Sequence, residues 1–358
     1  MKILTIVGAR PQFVKAAVVS REIRNFPHIK EVIVHTGQHF DKNMSDIFFE
    51  EMDITKPDFN LEINSLSHGA MTGRMLEGVE KIILKEKPDW VLVYGDTNST
   101  LAGALAASKL HVKVAHVEAG LRSFNMKMPE EVNRILTDRI SDILFCPTDI
   151  AMSNLISEGF NSLNTNIVKV GDVMQDAAIY YSNKIKTMNP DLPEDFILAT
   201  VHRAENTDNE KKLRSIVEAL NLINIERDVV LPLHPRTKIY IKKYNLIPQF
   251  KIIEPVGYLE MITLIKNARL IITDSGGLQK EAFFFEKPCV TLRDETEWVE
   301  LIEAGVNTLC DTNTVHTIIK EFKFMADKKL RFNKDMYGGG NASKKIIKCL
   351  MDFKYYPS

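Results

Sequence analysis

The sequence predicts an α/β protein with two doubly wound parallel sheets, and three observations support this prediction. Short apolar runs alternate with longer amphipathic stretches, as β-strands alternate with α-helices in such sheets. The strands are nearly continuous apolar runs, which is typical of a parallel sheet covered by helices on both faces. The alternation restarts in mid-chain, and 358 residues suit two domains better than one.

The first half of the chain accounts for one sheet. Pro11 suits the first turn of a helix, where the missing N–H group has no helical partner to lose. The predicted strands are Ile3–Val7, Val32–His35, Trp90–Tyr94, Val112–Val117 and Ile143–Cys146, and the predicted helices are Pro11–Arg24, Thr72–Glu86 and Ser99–Leu110.

The second half repeats the pattern, starting from the strand Ile167–Val170, so we place the boundary near Gly171. After a glycine-rich break at Gly338–Gly340, Ala342–Phe353 is predicted to form one last helix. The other predicted elements are the strands Phe196–Val201, Val229–Leu233, Lys251–Ile253, Leu270–Thr273 and Cys289–Leu292 and the helices Asn209–Ile223 and Leu259–Ala268.

Composition argues against several classes of protein. With a formal net charge of -1, the chain lacks the excess positive charge of nucleic-acid binders, so no nucleic-acid partner is expected. No apolar run approaches the roughly 20 residues of a membrane span, and the apolar start is too short for a signal peptide. We expect a cytoplasmic protein without a membrane partner. No two of the four cysteines have metal-ligand or redox spacing, so reduced thiols are expected.

A glycine turn after the first strand leads into a helix N-terminus with Arg10 and Lys15 nearby. Ligands of open parallel sheets bind beyond the carboxyl ends of strands, and helix N-termini favour anions. The spacing is neither a P-loop nor a dinucleotide fingerprint. The alternative is an ordinary solvated helix start.

Three acids follow later strands of the same predicted sheet. Asp96 lies where a strand gives way to a helix, and its alternative role is a helix N-cap. Glu118 ends the next strand, where strand alternation places it on the same side as His116 and where an acid is unfavourable unless paired or functional. Glu130 and Arg134 lie four residues apart and can share a helix face, with a surface ion pair as the alternative.

The second half contains the sharpest single motif, a strand followed by a glycine pair and a helix. Gly276 and Gly277 allow backbone N–H groups to approach a diphosphate. Glu281 lies one turn further on. A carboxylate there can accept hydrogen bonds from ribose hydroxyls, or it can simply compensate the helix dipole. His202 and His234 end two earlier strands, and two such histidines together favour a site over a structural role.

These motifs together resemble one family, the non-hydrolysing UDP-N-acetylglucosamine 2-epimerases. The matches run in order from Gly8 to about Gly305, and they are specific only in combination. The matching segments are Gly8–Pro11 with Lys15, Gly95–Thr97, His116–Arg122, Pro129–Glu131 with Asn133 and Arg134, His202–Arg203, Asp274–Gly277 with Gln279 and Glu281, Arg293–Asp294 and Thr296–Glu297.

The resemblance implies a GT-B-like fold of two Rossmann-type domains with the active site in the cleft, and a last helix that returns to the first domain. The expected domains are then residues 1–170 with 341–358, and residues 171–340, which would bind UDP. The resemblance also implies a homodimer that uses no cofactor and no metal ion.

The implied reaction is the reversible inversion of UDP-GlcNAc to UDP-ManNAc through elimination of UDP and a 2-acetamidoglucal. Such chemistry needs acid/base groups on two faces of the sugar and a cradle for the diphosphate. The expected catalytic residues are Asp96, Glu118, Glu130 and His202. The expected substrate and UDP contacts are Arg10, Lys15, Arg134, His234, Tyr258, Ser275, Gly276, Gly277, Glu281 and Arg293.

Three departures from the family pattern bear on the substrate and its control. Gln12 replaces a usual glutamate, and Trp298 replaces an arginine expected near the nucleotide. Ala204 replaces an arginine implicated in binding an activating second UDP-GlcNAc, so we hypothesise weak or absent activation. These variants resemble the branch acting on UDP-2,3-diacetamido-2,3-dideoxyglucuronate for surface polysaccharides, although the breadth of the family slightly favours UDP-GlcNAc.

Three other functions remain as alternatives at this point. A GT-B glycosyltransferase would share both domains and the diphosphate turn, but it would need an acceptor. A non-catalytic UDP-sugar sensor would bind UDP without turnover. A hydrolysing 2-epimerase would release free ManNAc.

Overall fold

The computed structural model describes residues 1–38, 53, 56–184, 191–333 and 335–353, apart from the side chain of Arg10. The chain divides into two compact units. Unit 1 comprises Met1–Ala177 and Lys334–Ser358, and unit 2 comprises Ala178–Asn333.

The sheet of unit 1 has seven parallel strands in the order β3-β2-β1-β4-β5-β6-β7. The strands are β1 Lys2–Val7, β2 Lys30–His35, β3 Phe59–Asn60, β4 Trp90–Tyr94, β5 Lys113–Val117, β6 Ile143–Cys146 and β7 Asn166–Lys169. The described helices are α1 Arg10–Ile23, α2 His68–Glu86, α3 Asn98–Lys109, α4 Pro129–Arg139, α5 Asp149–Ser157, α6 Val173–Ser182, which begins in unit 1 and ends in unit 2, and α14 Ala342–Asp352.

The sheet of unit 2 has six parallel strands in the order β10-β9-β8-β11-β12-β13. The strands are β8 Ile197–Thr200, β9 Val229–Pro232, β10 Lys251–Ile253, β11 Leu270–Thr273, β12 Cys289–Thr291 and β13 Asn307–Leu309. The helices are α7 Ala204–Thr207, α8 Glu210–Glu226, α9 Pro235–Lys243, α10 Tyr258–Asn267, α11 Gly276–Phe284, α12 Val299–Glu303 and α13 Val315–Asp327.

The central strands are buried on both faces, as the continuous apolar runs predicted. Every residue of β4 is buried, and α3 packs closely on β1 and β4 because it is rich in alanine and glycine. A Cβ atom on Gly103 would lie 3.0 Å from Ile6 Cγ1 and 3.3 Å from Val93 Cγ1. Small side chains in α3 therefore bring its N-terminal end close to the carboxyl ends of these strands.

The division between the units comes after Ala177, later than the predicted boundary near Gly171. The reason is local packing within unit 1. Gly171 has φ +97°, the Asp172 N–H donates to Tyr337 O at 2.9 Å, and a Cβ on Gly171 would lie 2.5 Å from that oxygen. The predicted domain limits stay a prediction, because packing by itself does not test independent folding.

Helix α14 packs on α1 within unit 1. Asp176 accepts hydrogen bonds from Ala342 N at 3.1 Å and from Ser343 N at 2.8 Å, at the start of α14. At its other end, Phe353 meets Trp90 edge to face at 5.0 Å between ring centroids. Both ends of the helix are therefore fixed.

In the described part of the chain, no helix is long and apolar enough to cross a membrane. The same residues contain no group of three or more His, Cys, Asp or Glu side chains that could hold a metal ion. All four cysteines are free thiols.

Candidate active site

Glu118 and Lys15 form an ion pair at the carboxyl edge of the unit 1 sheet. Lys15 comes from α1, and Glu118 directly follows β5, so the pair joins segments 103 residues apart. Both residues are buried. Gly95 lies beside them, and a Cβ there would be 3.1 Å from Lys15 Nζ and 3.3 Å from Glu118 Oε2.

The backbone at Glu118 leaves the strand conformation. Its φ is +72°, a region that residues with a side chain seldom adopt and that is found at sites where surrounding structure fixes the backbone. The N–H groups of Glu118 and Ala119 both donate to Phe145 O at 3.1 Å. Because of this turn, strand alternation alone does not set the direction of Glu118.

Asp96 is held by residues of α4. Its carboxylate forms an ion pair with Arg134, and its carbonyl oxygen accepts from Asn133 Nδ2 at 2.9 Å. The N-cap of α3 is Thr97, whose side chain accepts from Thr100 N at 3.3 Å. Asp96 is therefore not the N-cap of α3, which was the alternative role for this residue.

Arg134 pairs with Glu131 rather than with Glu130. Arg134 Nη1 donates to Glu131 Oε2 at 2.9 Å, and Glu131 is fully buried. Glu131 also accepts from the backbone N–H groups of Ser123 at 3.0 Å and Phe124 at 2.9 Å. Glu130 is exposed in the first turn of α4. Arg134 therefore pairs with Glu131 and not with Glu130, because Glu131 is the residue that faces the interior.

At the first turn of α1, the side chain of Gln12 accepts hydrogen bonds from two backbone N–H groups. Its Oε1 accepts from Gly8 N at 2.9 Å and from Ala9 N at 3.0 Å, and its Nε2 donates to Tyr94 O at 2.8 Å. A glutamate at this position could not donate to that carbonyl group. The side chain of Arg10, predicted to bind here, lies outside the described part of the structure.

Behind these acids lies a group of four linked ionisable side chains. His116 and Asp138 are completely buried, and Asp138 also pairs with Arg122, which in turn binds Glu158. We call His116, Arg122, Asp138 and Glu158 the charge cluster.

In unit 2, Asp274 joins the ends of β11 and β8. Its carboxylate accepts from the backbone N–H groups of His202 and Arg203 at 3.0 Å each and from Asn206 Nδ2 at 3.2 Å, and His202 Nδ1 lies 3.2 Å away. Burial alone would raise the pKa of Asp274, but His202 and these backbone donors outweigh burial and hold the pKa below its usual value.

The glycine pair begins α11, as the motif predicted. Ser275 is the N-cap, and its hydroxyl accepts from Leu278 N at 3.4 Å. A Cβ on Gly276 would lie 2.3 Å from Glu297 Oε1, whereas nothing lies within 4 Å of a Cβ on Gly277. Gly276 is therefore fixed by packing, and Gly277 is open and exposed.

Two arginines surround Glu297. Arg293 Nη1 donates to Glu297 Oε2 at 2.9 Å, and Arg293 is buried. Burial by itself would raise the pKa of Glu297, but the charges of Arg293 and Arg203 hold that pKa below its usual value. This ionised acid lies beside the start of α11 and pairs with Arg293, while Arg203 Nη2 would lie 3.7 Å from a Cβ on Gly276.

At position 298, where the family pattern has an arginine, the Trp298 ring contacts the cation of Lys280. Lys280 Nζ lies 3.9 Å from the centroid of the Trp298 ring, and both residues are buried. Such a contact stabilises a desolvated cation. Gln279 accepts from Thr296 Oγ1 at 2.8 Å, which fixes the same loop to α11.

Three other predicted contact residues lie in unit 2. His234 is exposed at the N-cap of α9, with its ring 5.4 Å from that of His202. Tyr258 is buried, with its ring perpendicular to that of Tyr181 at 5.9 Å. Glu281 is buried in α11. The two histidines are therefore neighbours, and Tyr258 packs in the interior.

Sequence reasoning gave no role to five buried polar residues that hold the candidate groups in place. Glu131, Asn133 and Asp274 belong to the matching segments, but the importance of all five depends on partners remote in sequence. A polar residue immediately after an apolar strand, as at Asp274, was the available signal. These residues are Glu131, Asn133, Asp138, Asn206 and Asp274.

A family model described as UDP-N-acetylglucosamine 2-epimerase matches residues 21–351. The chain is 58% identical over 352 residues to a UDP-2,3-diacetamido-2,3-dideoxy-D-glucuronate 2-epimerase of Pseudomonas aeruginosa, covering 98% of this chain and 99% of the relative. It is 45% identical over 372 residues to a UDP-N-acetylglucosamine 2-epimerase of Methanocaldococcus jannaschii, covering 99% and 100%.

Two solved structures have the same fold across the whole chain. The M. jannaschii UDP-GlcNAc 2-epimerase in complex with UDP-GlcNAc and UDP superposes with a TM-score of 0.87 at 43% identity, covering 98% of this chain and 99% of that one. The Neisseria meningitidis enzyme bound to UDP-GlcNAc gives 0.89 at 32% identity, covering 99% and 100%.

These matches confirm the predicted resemblance, the α/β GT-B-like fold class and the isomerase activity. The chain belongs to the UDP-N-acetylglucosamine 2-epimerase family and is a UDP-sugar 2-epimerase.

Proposed function

We propose that this chain reversibly inverts C2 of a UDP-linked 2-acetamido sugar by eliminating UDP and adding it back. The observation that carries the proposal is the set of acids at one sheet edge, where Glu118 contacts Lys15 and Asp96 contacts Arg134. This arrangement occurs in a chain whose family and relatives are 2-epimerases.

The reaction needs bond cleavage at C1 before or during proton transfer at C2. When the C1–O bond breaks, its electron pair leaves with the β-phosphate of UDP, and the C2 hydrogen becomes acidic. A carboxylate takes that proton, and the C2–H electron pair forms the C1=C2 bond of the glycal. A proton then returns to C2 on the opposite face while UDP adds back to C1.

The acid/base groups are assigned to Asp96, Glu118 and Glu130. The first two are partly or fully buried and each contacts a cation, whereas Glu130 is exposed. The three thus differ in environment, as groups that remove and return a proton must.

The leaving diphosphate is assigned to the N-terminus of α11 in unit 2. The amides of Gly276 and Gly277 begin this helix, and helix N-termini stabilise anions. Arg203 and Arg293 supply positive charge beside the turn, Glu297 pairs with Arg293, and His202 lies next to Asp274. Such fixed donors stabilise charge that develops on the leaving oxygen.

Two sugars are candidates, and a specific observation favours each. UDP-GlcNAc is bound in the two solved relatives described above, at 43% and 32% identity. The 2,3-diacetamido uronate is the substrate named for the Pseudomonas relative, at 58% identity over nearly the whole chain. We place the uronate first, because identity is higher and because Gln12, Ala204 and Trp298 resemble that branch.

Proton NMR in deuterated water tests both substrates in one assay. The purified chain is incubated separately with UDP-GlcNAc and with UDP-2,3-diacetamido-2,3-dideoxyglucuronate, without an acceptor. We expect deuterium at C2 and a manno-configured product with the uronate, and slower or no exchange with UDP-GlcNAc. Release of free sugar would indicate a hydrolysing enzyme, and no exchange with either sugar would refute the proposed function.

We further propose that the protein is a cytoplasmic homodimer without cofactor or metal ion that serves surface polysaccharide synthesis. Support comes from the family resemblance and from the sugar named for the Pseudomonas relative. Sedimentation velocity should give about twice the 40.7 kDa chain mass, and dialysis against a chelator should leave activity unchanged. A monomer or a loss of activity would contradict the corresponding part.

A further inference from the structure

We propose that Asp138 holds His116 as a buried imidazolium ion and that this ion positions the turn carrying Asp96. The inference rests on the proposed epimerase function, because it gives the charge cluster a task behind the candidate acids. His116 and Asp138 are 0% exposed. They are therefore positioning residues that act through Gly95 and Asp96, not catalytic residues.

Both ring nitrogens of His116 face hydrogen-bond acceptors. Nδ1 lies 2.7 Å from Asp138 Oδ1, and Nε2 lies 2.7 Å from the carbonyl oxygen of Gly95. A carbonyl oxygen cannot donate, so Nε2 must carry a hydrogen. A carboxylate also only accepts, so Nδ1 carries the second hydrogen, and an imidazole with two N–H groups is a cation.

The second oxygen of Asp138 accepts two further hydrogen bonds, one of them from a cation, which favours the ionised carboxylate. Oδ2 accepts from Arg122 Nη1 at 2.7 Å and from Gly120 N at 3.2 Å. Arg122 also donates to both oxygens of Glu158, at 2.7 and 2.8 Å. With His116 protonated, the charge cluster contains two cations and two anions. Balanced pairing removes the large penalty of an isolated buried charge.

The surrounding titratable groups do not change the equal number of cations and anions in the charge cluster. Cys146 of β6 faces Asp138 and Arg122, and burial and then Asp138 raise the pKa of its thiol, so it stays neutral. On the other side, the Glu118 carboxylate is paired with Lys15, and the Asp96 carboxylate with Arg134. Asp138 is therefore the counter-ion of His116.

Gly95 is the residue that receives this hydrogen bond. Its φ is +63°, and its own N–H donates to Val117 O at 3.0 Å, so both polar backbone groups of Gly95 are bound to β5. The peptide that leads into Asp96 is thereby fixed. If His116 kept only the proton facing Asp138, a lone pair on Nε2 would face the Gly95 oxygen and release the turn.

Nitrogen NMR of protein labelled with ¹⁵N-histidine tests the protonation state directly, without reference to activity. We expect both His116 nitrogens to carry a hydrogen at pH 7, and Asp138→Asn to leave one hydrogen on the ring at the same pH. A neutral His116 ring in the unmodified protein at pH 7 would overturn the inference.

Two substitutions of His116 test the positioning role. His116→Gln keeps a donor near the Nε2 position, whereas His116→Met has similar volume and no donor. Because a misplacement of about 1 Å can cost about 100-fold in rate, kcat of His116→Met should fall about 10-fold to 100-fold below that of His116→Gln. KM and UDP affinity should be alike, since the diphosphate turn belongs to unit 2.

The exposed His28→Gln variant is the matched control and should retain full activity. Equal kcat for the two His116 variants, with both folded by circular dichroism, would refute the positioning role. A wild-type protein that epimerises no UDP-sugar but has a doubly protonated His116 would refute the proposed function instead, and leave the charge assignment standing.

Discussion

The two units present different kinds of group at the carboxyl edges of their sheets. Unit 1 offers charged side chains, and two of its three candidate acids are held by cations, Glu118 by Lys15 and Asp96 by Arg134. Unit 2 offers the backbone at the N-terminus of α11, braced by Asp274 and Glu297. We therefore assign the proton chemistry to acids of unit 1 and a structural task to Asp274 and Glu297 of unit 2.

The largest expected effect comes from removing a unit 1 acid. Glu118→Gln keeps the shape of the side chain but cannot take a proton, and general acid/base groups contribute about 100-fold to 10,000-fold. We expect a fall in kcat of that size with UDP affinity nearly unchanged, measured by NMR turnover and calorimetry. Asp96→Asn and Glu130→Gln should behave alike.

The matched control is Glu77→Gln, which makes the same change at an exposed ion pair with Lys81 and should leave kcat unaltered. If UDP affinity fell together with kcat in Glu118→Gln, the division of tasks between the two units would be wrong.

The next largest effects are expected at the glycine pair. Substitution of one glycine tests packing, and substitution of the other tests contact with the ligand. Gly276→Ala places a Cβ against Glu297 and should lower stability by about 1–3 kcal/mol, seen as a lower Tm. Gly277→Ala meets open space, so its Tm should not change while its affinity for UDP falls. Unchanged UDP affinity in Gly277→Ala would move the diphosphate away from this turn.

Asp274 gives a smaller effect that depends on pH. Its folded-state pKa lies below the unfolded value of 3.8, so the ionised form stabilises the fold at neutral pH, and this contribution disappears as pH falls through the folded pKa. Asp274→Asn should lose about 1–3 kcal/mol at pH 7 by denaturant unfolding. The difference from the unmodified chain should shrink below about pH 4, and a constant difference would contradict this account.

The smallest expected effect concerns activation by a second nucleotide sugar. Ala204, at the start of α7 in unit 2, offers a methyl group where an arginine would bind an anion. We expect a hyperbolic rate curve with the true substrate and less than about a twofold change on adding UDP-GlcNAc, a difference of at most about 0.4 kcal/mol. A marked dependence on added UDP-GlcNAc would contradict the hypothesis.

Local sequence patterns predicted much of the fold and part of the candidate site. Apolar runs located β4 and β11 at their observed limits, and the glycine pair located the start of α11. The short strands β3 and β13 were not predicted, because Phe59–Asn60 and Asn307–Leu309 do not form apolar runs. The alternative role of Asp96 as an N-cap failed because Thr97, one residue later, takes it.

The sequence by itself determined which residue types follow which strands, because alternation, turns and helix starts depend on neighbours a few residues away. The tertiary structure alone decided the partners. Arg134 binds Glu131 and Asp96 instead of Glu130, and Glu118 meets Lys15 only because β1 lies beside β4, and β4 beside β5. Such pairings depend on strand order and side-chain direction, which no local pattern contains.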